Sequence, residues 1–207
     1  CGKSTLAKLI TRLIEPTAGT IHLNGKEITK SRGKELREAY QQVQMVFQSP
    51  AGSFDPRKTI GHGISESMRN NGMPKAERMR RTEELLGQCG LSPEYARRYP
   101  YEISGGQCQR AAIARALAIR PKLLICDEAT SALDVTIQQQ IMELLKSLKQ
   151  EKQLSFLFIC HNLALVQSFC DRVLVMYEGK IVEEGTPEQI IQSPQSEYTK
   201  HLVDAAF

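Results

Sequence analysis

The sequence predicts an α/β fold with a mostly parallel sheet, an antiparallel β portion near the N-terminus and an inserted helical subdomain. Three observations predict it. First, the apolar runs 122–126 and 154–160 have the length of buried strands. They flank a segment with Ile137, Ile141, Leu144, Leu145 and Leu148 at helical spacing. Strand, helix, strand at that spacing is a βαβ unit, which implies parallel strands and a right-handed crossover. Second, residues 20–23 run into Asn24-Gly25, a tight hairpin signal. Third, residues 59–102 carry helical patterns and no strand signal between two predicted strands.

The elements follow in order. Leu6, Leu9, Ile10, Leu13 and Ile14 recur at helical spacing, so a helix starts at Ser4. It is expected to stop at Glu15, because proline disfavours the α conformation in the residue before it. Strand 20–23 turns at Asn24-Gly25 and returns from Ile28. Residues 30–37 are polar and read as a surface connection. Residues 43–47 form a strand with Gln48 at its end, and 49–58, with two prolines and a glycine, form a loop. Short helices are expected around 59–70, 75–88 and 94–98, broken at Asn70-Asn71-Gly72 and Ser92-Pro93. An alanine-rich helix runs from Ser104 to Ile119 and stops before Pro121. Asp134 is placed to cap the helix that follows strand 122–126. Residues 172–177 and 180–183 form a hairpin around Glu178-Gly179. The tail, 186–207, is two short helices separated by Ser193-Pro194.

Bulk properties narrow the function. With 207 residues the chain makes one large domain, or one domain with an inserted lobe. That length buries about 70% of the unfolded surface, enough for a core without staples. The net charge of +4 is mild and the basic residues are scattered, so nothing in the charge argues for nucleic-acid binding, and no nucleic-acid partner is expected. The six cysteines form no C-x-x-C pair and several sit in apolar runs, as expected of thiols in a reducing compartment. The four histidines form no evident metal cluster. No apolar run approaches the ~20 residues that span a bilayer.

The chemistry-bearing pieces point to a nucleotide triphosphate. Gly2-Lys3-Ser4-Thr5 is the back half of the phosphate-binding pattern G-x-x-x-x-G-K-[ST]. A helix begins within it, and a helix N-terminus offers N–H groups and partial positive charge to an anion. Lys3 would neutralise phosphates and Ser4 would offer its hydroxyl to Mg²⁺. Asp127 closes a buried apolar strand and is a hard oxygen ligand for the same ion. Glu128, beside it, would orient or deprotonate the attacking water. Gln48 and His161 each end a strand, suited to the metal or water and to the γ-phosphate respectively. Ser104-Gly105-Gly106-Gln107 opens a helix where backbone N–H groups can approach an anion. Each piece alone has a plainer reading: a helix cap, a solvated acid pair, a structural histidine or a tight turn.

Their order settles between these readings. The chain resembles the nucleotide-binding subunits of ABC transporters. Gly2 to Thr5 match half of Walker A, Gln48 the Q-loop, and Ser104 to Gln107 the signature motif. Residues 123–128 match Walker B with its catalytic glutamate, Ser131-Ala132-Leu133-Asp134 the D-loop, and His161 the H-loop. Ile103 and Cys126 depart from the more usual residues at their positions. The resemblance implies a P-loop NTPase core over 1–58 and 120–185, a helical subdomain with the signature helix over 59–119, and a C-terminal helical tail over 186–207. It implies ATP and Mg²⁺ as cofactors, with Ser4, Gln48 and Asp127 holding the metal and Glu128, His161 and Gln48 catalytic. Nucleotide contacts come from Gly2, Lys3, Ser4, Thr5 and Asp134, and in trans from Ser104, Gly105, Gly106 and Gln107 of a second, head-to-tail subunit.

Residues 47–50 and 54–57, with the tail segment 193–200, look like the branch that imports dipeptides, oligopeptides or nickel. That pattern implies a second, different ATPase subunit, two membrane permeases, an extracellular binding protein and a place on the cytoplasmic face of the membrane. In it Gln48 and the 59–102 lobe contact the membrane subunit. A non-transport ATPase of DNA repair or translation is the alternative. Because the chain opens within the phosphate loop, it is expected to be a fragment, with ATP binding belonging to the longer parent.

Overall fold

A parallel three-stranded sheet positions every strand-borne candidate residue. The computed structural model describes residues 2–130, 133–152 and 154–206. Strands β3 (Val43–Val46), β4 (Leu123–Asp127) and β5 (Ser155–Ile159) lie in that order, with Met45, Ile125 and Leu157 in register. All three run the same way, so Gln48, Asp127-Glu128 and His161 emerge at one edge. In open α/β sheets that carboxyl edge is where ligands bind.

The strand β4 alternates between two cores, as the two-residue period of a strand requires. Leu124 and Cys126 join the large cluster built with helices α3 (Ile60–Asn70), α4 (Lys75–Gln88), α5 (Gly105–Leu117) and α6 (Val135–Lys152). Ile125 faces the opposite side, with Ala7 of helix α1 (Lys3–Ile10), Val43, Met45 and Ile159. Burying each such Leu or Ile side chain contributes about 1.5–3 kcal/mol. Ala111, Ala112, Ala114 and Ala116 are buried along α5, and their small side chains let the helix lie close to its neighbours.

Antiparallel pairs complete the β structure. Strands β1 (His22–Leu23) and β2 (Lys26–Glu27) are shorter than the expected 20–23 strand. Asn24 and Gly25 both take positive φ, as the two-residue turn demands. Strands β6 (Val173–Tyr177) and β7 (Lys180–Gly185) pair around Glu178 and Gly179, again both at positive φ. Helix α7 (Leu163–Phe169) is capped by Asn162, and the tail forms α8 (Pro187–Gln192) and α9 (Glu197–Asp204). Among the described residues, no helix is long and apolar enough to cross a membrane.

Three expectations fail. Helix α1 ends at Ile10, five residues before Glu15, because the Thr11 hydroxyl bonds back to the Ala7 carbonyl at 2.9 Å and Arg12 turns to φ 58°. Leu13 and Ile14 are therefore exposed. Residues 30–37 are not a simple surface connection, since Gly33–Gln42 is a helix, α2. It buries Ala39, and Glu35 and Glu38 of its outer face both approach Lys26 at 3.8 Å. In addition, the 94–98 helix is a 3-10 turn, Pro93–Arg97.

Candidate functional site

The site assembles where α1 begins and the parallel strands end. Gly2 caps α1 in the left-handed region, at φ 94°, a conformation open to glycine. The helix that follows carries Lys3, Ser4 and Thr5 in its first turn, where N–H groups lack partners within the helix. The Ser4 hydroxyl donates to the Asp127 carboxylate at 2.9 Å. Asp127 is only 5% exposed. A hydroxyl and a buried carboxylate in contact form a hard-oxygen pair that suits Mg²⁺.

Glu128 stands at φ 47°, left-handed for a residue with a full side chain. Such strain costs on the order of 1–3 kcal/mol and persists only where the surroundings impose it. Here the Glu128 N–H donates to the Ile159 carbonyl at 2.9 Å, pinning the turn to β5. Its carboxylate accepts a 2.7 Å hydrogen bond from the Gln48 amide, and His161 Nδ1 stands 3.9 Å from the other carboxylate oxygen. Gln48, Glu128 and His161 thus meet, although each comes from a different strand end. Cys160 lies within the influence of both Lys3 and Glu128, and burial pushes its thiol up to about 11. A cleft of about 630 Å³ runs from Ser4 and Asp127 past Gln48 to Ser53 and Arg115.

The loop after Gln48 is held locally. Asp55 accepts hydrogen bonds from the Arg57 N–H at 3.0 Å and from its Nε at 3.2 Å. The side-chain bond to Arg57 holds the Asp55 carboxyl below the usual range.

Ser104, Gly105, Gly106 and Gln107 open α5 away from this cluster. Ser104 and Gly105 are exposed. Ser104 Oγ accepts from the Gln107 N–H at 3.3 Å, and Gln107 Oε1 accepts from the Ser104 N–H at 2.9 Å, a reciprocal cap. Gln107 Nε2 donates to the Tyr95 hydroxyl at 2.8 Å, so the Gln107 amide is engaged at both ends. That leaves the N–H groups of Gly105 and Gly106 as the first-turn donors outside the cap. Gly106 has a second reason to be glycine, because a Cβ there would lie 2.7 Å from Ile137 Cγ2 of α6. Asp134 accepts from the Ile137 N–H at 2.9 Å and so caps α6. Ser131 and Ala132 of the expected D-loop lie outside the described residues.

Sequence reasoning overlooked Arg115. The available signal was a lone guanidinium inside the apolar run 111–117. Tyr95 was overlooked as well, and no local pattern marks it as a partner of Gln107.

The model of the ABC transporter family matches residues 1–131. The chain is 47% identical over its whole length to the probable peptide ABC transporter ATP-binding protein y4tS of Sinorhizobium fredii, covering 59% of that protein. It is 47% identical over 99% of its length to the oligopeptide transport ATP-binding protein OppF of Salmonella typhimurium, covering 62% of it. The chain therefore spans about three fifths of these relatives, from 59% to 62%. Among solved structures, a dimeric post-hydrolysis state of the ATP-binding cassette MJ0796 bound to ADP and Pi matches with a TM-score of 0.80 and 29% identity. That match covers 90% of this chain and 81% of the other.

Proposed function

The chain belongs to the ABC transporter family, and from that premise we propose that it is the ATP-binding and ATP-hydrolysing part of a peptide importer's motor subunit. The observation that carries this reading is the meeting of Gln48, Glu128 and His161 next to the Ser4–Asp127 contact. Phosphoryl transfer to water demands positioning and charge neutralisation more than covalent chemistry, and this arrangement supplies both.

Lys3 and the first-turn N–H groups of α1 draw the phosphates to Gly2, Ser4 and Thr5. Ser4 Oγ, the Asp127 carboxylate and the Gln48 amide oxygen are the donors that would hold Mg²⁺, a set of hard oxygens matched to that ion. When bound, the ion neutralises charge on the transferring group. Glu128 holds the attacking water and accepts its proton, and the Gln48 amide fixes the carboxylate for that task. His161, exposed at the end of β5 beside Glu128, reaches the γ-phosphate. Ser104, Gly105 and Gly106 present a capped helix N-terminus to the nucleotide of a head-to-tail neighbour. Gln107 holds that cap, and Asp134 holds the start of α6 beside it.

A peptide cargo is favoured over nickel because the relatives above are named for peptide transport. The same names weigh against a role in DNA repair or translation. The working assembly pairs this subunit with a second, different ATPase, two permeases and an extracellular binding protein, at the cytoplasmic face of the membrane, with no nucleic-acid partner. The test is ATP-driven uptake of labelled oligopeptides into proteoliposomes carrying the full-length subunit and its partners. Glu128→Gln is expected to abolish turnover while retaining ATP and the closed dimer. Hydrolysis by Glu128→Gln at the parent rate would overturn the assignment of the base, and absence of peptide uptake would overturn the cargo.

A further inference from the structure

The loop after Gln48 is clamped from an unexpected direction. Arg115, about three turns along α5 from Ser104, reaches across to it. Its Nη1 donates to the Ser53 carbonyl and its Nη2 to the Ser53 hydroxyl at 2.8 Å. The guanidinium lies 4.4 Å over the Phe54 ring. Phe54 is 5% exposed and also packs against α3, where a Cβ on Gly63 would come within 2.7 Å of the ring. The Ser53 hydroxyl donates onward to the Pro50 carbonyl at 2.6 Å, two residues from Gln48. Arg115 is partly buried, and that burial pushes its pKa down. A planar fork that both stacks and donates to two oxygens is a task lysine does not reproduce.

We propose that Arg115 is a positioning residue: it ties the helix that carries Ser104 to the loop that begins at Gln48, so that movement of α5 reaches the amide holding Glu128. The proposal rests on the hydrolytic reading above. The two ends of α5 then serve one event. Its N-terminus faces the neighbour's nucleotide, and its last turn grips Ser53 and Phe54. Arg115 itself touches none of the proposed catalytic groups and acts through Ser53 and Phe54.

Arg115→Lys, in the full-length subunit assembled with its partners, tests this through two readouts. Hydrogen exchange of the amides over 48–55 is expected to quicken by about fivefold or more while β4 and β5 keep the parent rate. The kcat for ATP is expected to fall about tenfold with KM within about twofold, and the same substitution in a Gln48→Ala background should add no further loss. Unchanged exchange over 48–55, or losses that multiply in the double variant, overturns the proposal. If Arg115→Lys does not fold, Phe54→Leu, which removes the ring under the guanidinium and keeps both Ser53 acceptors and the Ser53–Pro50 bond, carries the same exchange measurement. A parent assembly that does not hydrolyse ATP defeats the hydrolytic reading, and the exchange result still decides whether the clamp exists.

Discussion

The Gln48 amide donates a 2.7 Å hydrogen bond to the Glu128 carboxylate, joining residues 80 positions apart. The bond spans the carboxyl ends of β3 and β4, which are paired from Val43–Leu123 to Val46–Cys126. Glu128 sits in a strained left-handed turn, and the Gln48 bond is one of the contacts that direct its carboxylate. Gln48→Ala is expected to lower kcat for ATP about tenfold in the assembled full-length subunit while leaving KM within about twofold. Steady-state kinetics on the purified assembly check it, and a loss confined to KM would contradict it.

The Ser4–Asp127 contact predicts a metal phenotype. Asp127→Asn removes the anionic oxygen of the pair, and the magnesium concentration needed for half-maximal hydrolysis should rise about tenfold or more. Ser4→Ala should shift it in the same direction. A magnesium titration identical to the parent's in both variants would remove these residues from the metal site.

Gly106 predicts a packing phenotype. The missing Cβ space is occupied by Ile137 Cγ2 at 2.7 Å, on a β-branched side chain with little freedom to rotate. Gly106→Ala should destabilise the protein by about 1–3 kcal/mol, the ordinary penalty for overpacking. Gly105→Ala, which meets its nearest neighbour at 3.9 Å, should cost less. Urea unfolding of the two variants ranks them, and equal midpoints would contradict the packing argument.

The tail predicts a pH effect. Glu183 of β7 accepts from the N–H groups of Gln195 at 2.8 Å and Ser196 at 3.0 Å, holding the start of α9. Burial alone would raise its pKa, but the neighbouring Thr199 hydroxyl, these N–H bonds and the Lys200 charge outweigh that and hold it below the ordinary carboxylate value. A depressed carboxylate stabilises the fold above its unfolded pKa and loses that contribution as pH falls through the folded value. The stability difference between parent and Glu183→Gln should therefore be full at neutral pH and shrink on acidification, starting near the unfolded glutamate value of about 4.3 and continuing as pH falls through the lower folded value. Thermal melts across that range measure it, and a difference that grows on acidification would reverse the sign argued here.

Periodicity was enough for the elements with strong local patterns. The run 122–126, the stripe Ile137, Ile141, Leu144, Leu145 and Leu148, and the Asn24-Gly25 turn read directly as strand, helix and hairpin. It failed where local chemistry competed. Thr11 ended α1 through a side-chain bond to Ala7. Residues 33–42 hid an amphipathic helix under charge, although Leu36, Ala39 and Tyr40 carried the helical spacing.

By itself the amino-acid order determined the motifs, the βαβ unit and the residue types available for phosphate and metal. Only tertiary structure decided that Gln48, Glu128 and His161 meet, that Gly106 must clear Ile137, and that Arg115 grips Ser53 and Phe54. The physical reason is range. A helix or turn is governed by neighbours a few residues away, whereas these contacts depend on strand register and helix packing across the whole chain, which no short window of residues encodes.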